Sequence, residues 1–365
     1  MQVEFFPSRT MALYMARMFA IRVVAVLLLL VLVLQALDLL GESGKILAYP
    51  GNGQGELLTY ISLRVPQLIE RFLPFAVLLA TIVTLATLNQ NSEVIAMKAA
   101  GLSAHQVLAP LLLTSLVIAI LSFAFNDRIV SRATATLAAW EAAEFGPIPE
   151  DPYSLTNVWV RDGHMIIQAR TVLGKSDNTR LRDVTAFVRD ENDALRETVS
   201  AARARYTGNG WRLEDVERFE LLTGNVETID SMVIGTGVTP DQFTLSNVNA
   251  AGLSFAELGT TITDMQLAGR RTTDLETTWW HKISGPLSSV LMPLLGAVAA
   301  FGLARSGRLF FRAVIGMALG FAYFVVDNFT LAMGNLEVYP PLLAAWAPFI
   351  LFLLIGETVL VRTEE

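Results

Sequence analysis

Cysteine is absent from this chain of 365 residues, which removes disulfides, thiolate metal sites and cysteine nucleophiles together. Charge is scarce as well. Only 17% of residues are charged, against roughly 25% in ordinary soluble domains. The three histidines are scattered along the chain. There is no HExxH pair, no Gly-x-Ser-x-Gly turn and no Gly-x-x-x-x-Gly-Lys-Ser/Thr phosphate loop, and "GESGK" at residues 41–45 has the wrong spacing for one. The expectation is therefore a chain without catalysis of its own. Its net charge of −7 is spread along its length and indicates no nucleic-acid partner.

What the chain has instead is apolar sequence in long runs. Hydrophobic residues make up 53%, and about 20 consecutive, mostly apolar residues suffice for a helix to cross a bilayer. Six segments qualify, roughly 13–40, 72–88, 107–125, 280–304, 309–333 and 342–361. The first lacks a small-x-small cleavage site after it and is expected as a retained signal-anchor helix. Residues 55–71, "GELLTYISLRVPQLIER", mix charged and apolar side chains. They are expected as an amphipathic lead-in at the membrane surface, with Pro74 near the start of the second span.

Basic residues collect on one side of these spans. Arg9, Arg17 and Arg22 precede or begin the first, Lys98 lies between the second and third, Arg305, Arg308 and Arg312 join the fourth and fifth, and Arg362 follows the last. The opposite loops, 41–54 and 334–338, hold only Lys45 against Glu42 and Glu337. The positive-inside rule then places both termini in the cytoplasm. "NFT" at residues 328–330 falls within a span, so a glycosylation reading fails.

Between the third and fourth spans the pattern changes to alternation. "NVWVRDGHMIIQARTV" alternates about a two-residue turn at Asp162-Gly163, and "ARARYTGNGWRLEDVERFELL" does so about residues 207–210. "VTAFVRD" and "TIDSMVIGT" supply further strands. The expected fold class is a membrane α-helical protein of six transmembrane helices with an inserted periplasmic all-β, jellyroll-like domain. Its divisions are 1–132, 133–277 and 278–365, with a short cytoplasmic helix near 91–101.

That short helix is "NQNSEVIAMKAAG". Ser92 is placed to cap its first turn, Glu93 favours the positive end of the dipole and Lys98 the negative end. Gly101 is the expected left-handed terminator. Val94, Ile95 and Met97 give it an apolar surface too small for a core. Two readings remain open on the residues alone: a surface turn held by headgroups, or a docking helix that a cytoplasmic partner grips.

Three motifs carry a family resemblance: "NSEVIAMKAAGLS", "VWVRDGHMIIQARTV" and "HKISGPLSSVLMPLLGAVAAFGLARSGRLFFRAVIGMALGFAYFVVDNF". With the matched order of spans, the chain resembles the LptF/LptG family of lipopolysaccharide-export permeases. The last two motifs, with "GLARS" at 302–306 and "GFAYFVVDN" at 320–328, favour the LptG branch. The resemblance implies extraction of lipopolysaccharide from the outer leaflet of the inner membrane by a six-span permease with a periplasmic jellyroll. Its partners would be an LptF permease, a dimer of the ATPase LptB, the single-span LptC and a periplasmic LptA bridge. ATP and Mg would be hydrolysed by the ATPase, with no cofactor on this chain. The resemblance also makes the short helix the piece that enters a groove on the ATPase, with Glu93 as the coupling residue and Ser92, Met97, Lys98 and Gly101 around it.

In that family the lipid path runs between the first span of one permease and the fifth of its partner. Gln35 and Asp38 on the first span, and Phe321, Phe324 and Asp327 on the fifth, are the candidates here. Gly316 and Gly320 would permit close helix approach. Asp38 is expected to meet a sugar or a partner's basic residue, Asp327 to make a buried polar contact. Arg64, Glu70 and Arg71 are expected at headgroups, and Arg128 and Arg132, at the outer surface after the third span, are expected to meet lipid phosphates or to anchor the helix; Arg64, Arg128 and Arg132 complete the lipid-path candidates. His281 and Lys282 are expected at a helix end in the interface, and His105 and His164 at the surface. The resemblance departs at the outer half of the first helix, where the family commonly carries lysines and this chain has Gln35, Gly41 and Glu42. A less phosphorylated or uronic-acid-bearing lipid, or basic residues from the partner permease, is the corresponding expectation. Two other readings compete: a permease for another envelope lipid, and a membrane-anchored periplasmic scaffold without a transport cycle.

Overall fold

The computed structural model describes residues 8–148, 155–174, 178–190, 193–244, 248–267, 269–301 and 309–364. The "GLARS" motif, with Arg305 and Arg308, lies outside them. The chain divides into two compact units, one of Met1–Glu42, Leu58–Ala133 and Leu253–Glu365, the other of Ser43–Leu57 and Thr134–Gly252.

The first unit is helical. Helices α1 (Arg9–Ala48) and α2 (Gln54–Gln90) precede the short α3 (Glu93–Ala99). Next, α4 (Ala104–Phe125) runs through a π-helical turn, Asn126–Val130, into α5 (Ser131–Ala142). Among the described residues five helices, α1, α2, the continuous Ala104–Ala142, α9 (Leu309–Asn335) and α10 (Pro341–Glu364), are long and apolar enough to cross a membrane. The fourth expected span falls on α8 (Thr273–Phe301), whose described part carries Lys282, several serines and two prolines. It is not among those five.

Several helices outrun the expected limits. At 40 residues α1 is about 60 Å long, twice the ~30 Å hydrocarbon core. Residues 55–71 are not a separate surface helix but the first half of α2, which continues through Pro66 and Pro74. Each proline removes one intrahelical donor, which neighbouring helices can tolerate. Likewise Arg128 and Arg132 are not in a loop; they lie on the continuation of the third predicted span, the continuous helix of 104–142. The interior of the bundle is built from Met15, Phe19, Val77, Leu85, Leu108, Leu111 and Leu295, all below 2% exposed. Small residues let helices approach closely, as in membrane bundles generally. A Cβ on Gly334 would lie 2.6 Å from that of Ala344, and one on Gly320 would collide with Leu78.

The second unit holds six strands: β1 (Leu155–Asp162), β2 (Met165–Leu173), β3 (Arg180–Arg189), β4 (Leu195–Tyr206), β5 (Trp211–Glu220) and β6 (Asn225–Ile234). They form one antiparallel sheet in the order β1-β2-β3-β4-β5-β6, an up-and-down meander in which every strand pairs with the next. A jellyroll's Greek-key order is not what is seen. Alternation along a strand selects its apolar face, but says nothing of which strand lies beside it. The first turn is Gly163-His164, one residue later than expected, because Asp162 pairs with Met165; Gly163 takes φ +57°, as the first position of such a turn demands. On the inner face Trp211 is buried against Phe243, edge to face with centroids 5.0 Å apart. Its indole N–H donates to the Val238 carbonyl at 3.0 Å. The all-β expectation for 133–277 was too wide. Residues 131–142 continue a helix, and α6 (Pro240–Thr244) and α7 (Phe255–Leu267) follow the sheet, consistent with the alanine-rich "SRATATLAAWEA" that ends the helix of 104–142.

Candidate functional site

Seven residues are too few to hold a helix in water, so α3 owes its order to what flanks it. Val94 and Met97, three apart on one face, are each 6% exposed and join the bundle interior. Its C-terminus closes as the sequence indicates. Gly101, at φ +87°, donates to the Lys98 carbonyl at 3.0 Å, and Leu102 donates to Met97 at 3.1 Å, the paired bonds of a Schellman motif. The N-terminus does not. Ser92 takes a left-handed conformation (φ 61°) and its side chain caps nothing. The cap belongs to the next helix: Ser103 accepts from the Gln106 N–H at 3.2 Å while Gln106 accepts from the Ser103 N–H at 3.0 Å. Replacing Ser103 by Ala should cost about 1 kcal/mol and raise hydrogen exchange in the first turn of α4, whereas Ser92→Ala should leave exchange in α3 unchanged.

With Val94 and Met97 turned inward, Ile95 (63% exposed), Ala96 and Ala99 form the outward face. Glu93 stands half-buried beside it, accepting from the Asn91 amide at 3.2 Å and from the Tyr14 hydroxyl of α1 at 3.5 Å. Arg22 reaches α2, donating to Thr87 Oγ1 at 3.0 Å, and is not simply a flanking charge. His105 meets Glu357 of α10 at 3.3 Å. Lys98 is exposed. This end of the bundle thus presents a short rigid helix, small apolar side chains outward, with one carboxylate tied to α1.

The lipid-path candidates are distributed differently from the expectation. Within the chain Asp38 accepts from Tyr60 at 2.6 Å and from Arg64 at 2.9 and 3.2 Å. Two-point contact with a guanidinium is a strong, oriented pairing, so Arg64 is paired within the chain and not set at a headgroup. Gln35 is 8% exposed, and its amide nitrogen and oxygen find no partner among the described residues. Phe324 turns inward, edge to face with Phe75 at 5.0 Å, while Phe321 is 60% exposed. Arg128 and Arg132 are exposed.

The largest departure is Lys282. It is not at an interfacial helix end; it is 8% exposed in the middle of the fold. Its ammonium donates to Asn126 Oδ1 at 3.2 Å, and the Asn126 amide donates to Glu70. The carboxylates of Glu70, Asp127 and Glu257 all act on its charge. Asp127 in turn accepts from the Phe255 N–H at 2.5 Å, and Phe255 stacks on Trp279 at 4.7 Å. Asn126 opens the π-helical turn, a distortion found preferentially at functional positions. This node ties α2, the π turn, α7 and α8 together. Glu70 is thereby a buried partner and not a headgroup contact. His281 Nδ1 lies 3.3 Å from Ser284 Oγ, and Asp327 is half-buried on α9. A lysine near the start of the fourth predicted span, a glutamate in the lead-in to the second and an asparagine just past the third are the sequence signals of the node, and their spacing along the chain could not pair them.

Comparison with known proteins covers nearly the full length of the chain. The profile of a family described as "Lipopolysaccharide export system permease LptF/LptG" matches residues 13–362. The chain is 26% identical over 337 residues to the lipopolysaccharide export system permease protein LptG of Escherichia coli strain K12, covering 90% of this chain and 91% of that one. It is 26% identical over 317 residues to LptG of Haemophilus influenzae, covering 85% and 87%. Both relatives fall in the branch that the motifs favour.

Proposed function

Because the chain belongs to the LptF/LptG family of lipopolysaccharide export permeases, we propose that it is the non-catalytic permease subunit of an ATP-driven extractor. It spans the inner membrane with both termini in the cytoplasm, α8 supplying the sixth span. The β domain lies in the periplasm, and its meander sheet acts as a cradle for the lipid. Lipopolysaccharide leaves the outer leaflet through a lateral opening shared with an LptF partner and LptC, and passes to an LptA bridge. Hydrolysis of ATP with Mg takes place on an LptB dimer.

The observation that carries this reading is α3. A chain without a phosphate loop needs an external motor, and α3 offers such a motor a handle: anchored by Val94 and Met97, apolar outward at Ile95, and joined to α1 through Glu93 and Tyr14. A force on α3 reaches α1 directly. Affinity purification of the full chain in mild detergent, with proteins and bound lipid identified by mass spectrometry, tests it. An ATPase and lipopolysaccharide are expected together. Recovery of a different envelope lipid would replace the substrate, and absence of any ATPase would leave only the scaffold reading.

A further inference from the structure

The β sheet carries arginines in an arrangement that a sheet ordinarily avoids. In the register of the meander, Arg180 of β3 lies directly opposite Arg205 of β4, and Arg205 lies opposite Arg212 of β5. One row along, Arg182 lies opposite Arg203, and Arg203 opposite Glu214. Leu181, Ala204 and Leu213, which alternate with them, are buried in the inner core. All five guanidiniums therefore belong to the other face, and all five residues are exposed.

Like charges directly opposite on adjacent strands are destabilising, and little within the chain offsets them. Arg205 reaches Glu214 at 3.5 Å, with both side chains solvent-accessible. The side chains of Arg180, Arg182, Arg203 and Arg212 make no hydrogen bond or ion pair among the described residues. Asp183 and Asp215, exposed on the same strands, make none either. With strands about 4.8 Å apart, the row from Arg180 to Arg212 spans about 10 Å, and it is bordered by Leu173 and Val233 on the neighbouring strands. The row stands at the end of the sheet where β1 begins and β6 ends, on a chain whose net charge is −7. Concentrated cations on an acidic chain are placed for an anion. Guanidinium forks match phosphate and carboxylate in a two-point geometry, and rigid strands hold several forks in register.

We propose that this face binds the oxyanion groups, phosphate or uronate, of the saccharide headgroup of the exported glycolipid. The proposal rests on the permease reading, and it supplies cations that α1 lacks at Gln35, Gly41 and Glu42. A linear row about 10 Å long with apolar ends suits a saccharide bearing separated anionic groups.

The test uses the full chain in nanodiscs of zwitterionic lipid. The probes are a de-acylated glucosamine disaccharide bisphosphate, digalacturonate, and the unphosphorylated disaccharide. At least one anionic saccharide should bind saturably, the neutral one should not, and Arg180→Gln with Arg212→Gln should weaken binding about tenfold, as loss of charge-assisted contacts implies. The same double variant should show more, not less, hydrogen-exchange protection in β3–β5 without ligand. A purely structural role for the arginines predicts the opposite sign. Equal binding by the variant, or equal competition by phosphatidylglycerol vesicles or polyglutamate, would overturn the proposal. Co-purification of the ATPase does not depend on this face, so the permease reading can hold while this one fails.

Discussion

Lys282→Ala is expected to destabilise the folded chain by about 3–5 kcal/mol, the usual consequence of removing one member of a buried ionic network. The ammonium is 8% exposed and donates to Asn126, which donates to Glu70. Its removal leaves the Asn126 amide oxygen without its donor and the Glu70 carboxylate without a nearby positive charge, so that their desolvation is no longer offset. Three helices and the π turn lose their common contact together. The loss should appear as a lower thermal unfolding midpoint in detergent and reduced recovery from membranes. A paired replacement, Lys282→Met with Glu70→Leu, removes both charges and should recover much of the loss, since apolar substitutes for a buried pair are often neutral or better. If Lys282→Ala unfolds at the wild-type midpoint, the node is not structural. If the paired variant recovers stability but not lipid export, the charge itself serves the transport cycle.

The second large effect concerns activity and leaves stability nearly untouched. Glu93→Ala removes two hydrogen bonds, at 3.2 and 3.5 Å, from a half-buried carboxylate, and a surface change of this kind usually costs within about 0.5 kcal/mol. The anchors Val94 and Met97 remain. ATP-dependent lipid export in reconstituted vesicles should nevertheless fall at least tenfold, roughly the effect of losing 1.4 kcal/mol of a charge-dependent contact with the motor. Tyr14→Phe separates the two tasks of the carboxylate: it removes the link to α1 while leaving the charge for the partner. It should keep the ATPase bound and lower export per ATP hydrolysed. Wild-type export by Glu93→Ala in an intact assembly would sink the assignment of Glu93.

The candidate site was partly legible from the residues. Gly101 as a left-handed terminator could be read, because glycine alone takes φ +87° without a steric penalty. The cap at Ser92 could not, since whether a serine faces its helix depends on how the chain arrives there. The better cap, at Ser103 with Gln106 three residues on, is legible as a capping-box pattern. Asp38 and Arg64, 26 residues apart, gave no local sign of their pairing. Each reads alone as an interfacial charge.

Sequence by itself determined the apolar runs, their polarity of basic flanks, the alternating strands and the family. These depend on periodicity and composition, which are properties of neighbours along the chain. Tertiary structure alone decided where helices continue, which strands adjoin and which charges are spent on each other. A helix does not stop where hydropathy falls, as the 37 residues of α2 attest, because hydrogen bonds along the backbone persist past the apolar window. Lys282 changed from a surface anchor to the centre of a buried node for a similar reason. Burial of a charge is set by what the other helices bring to it, here Asn126 and Glu70, and no window along one helix contains that information.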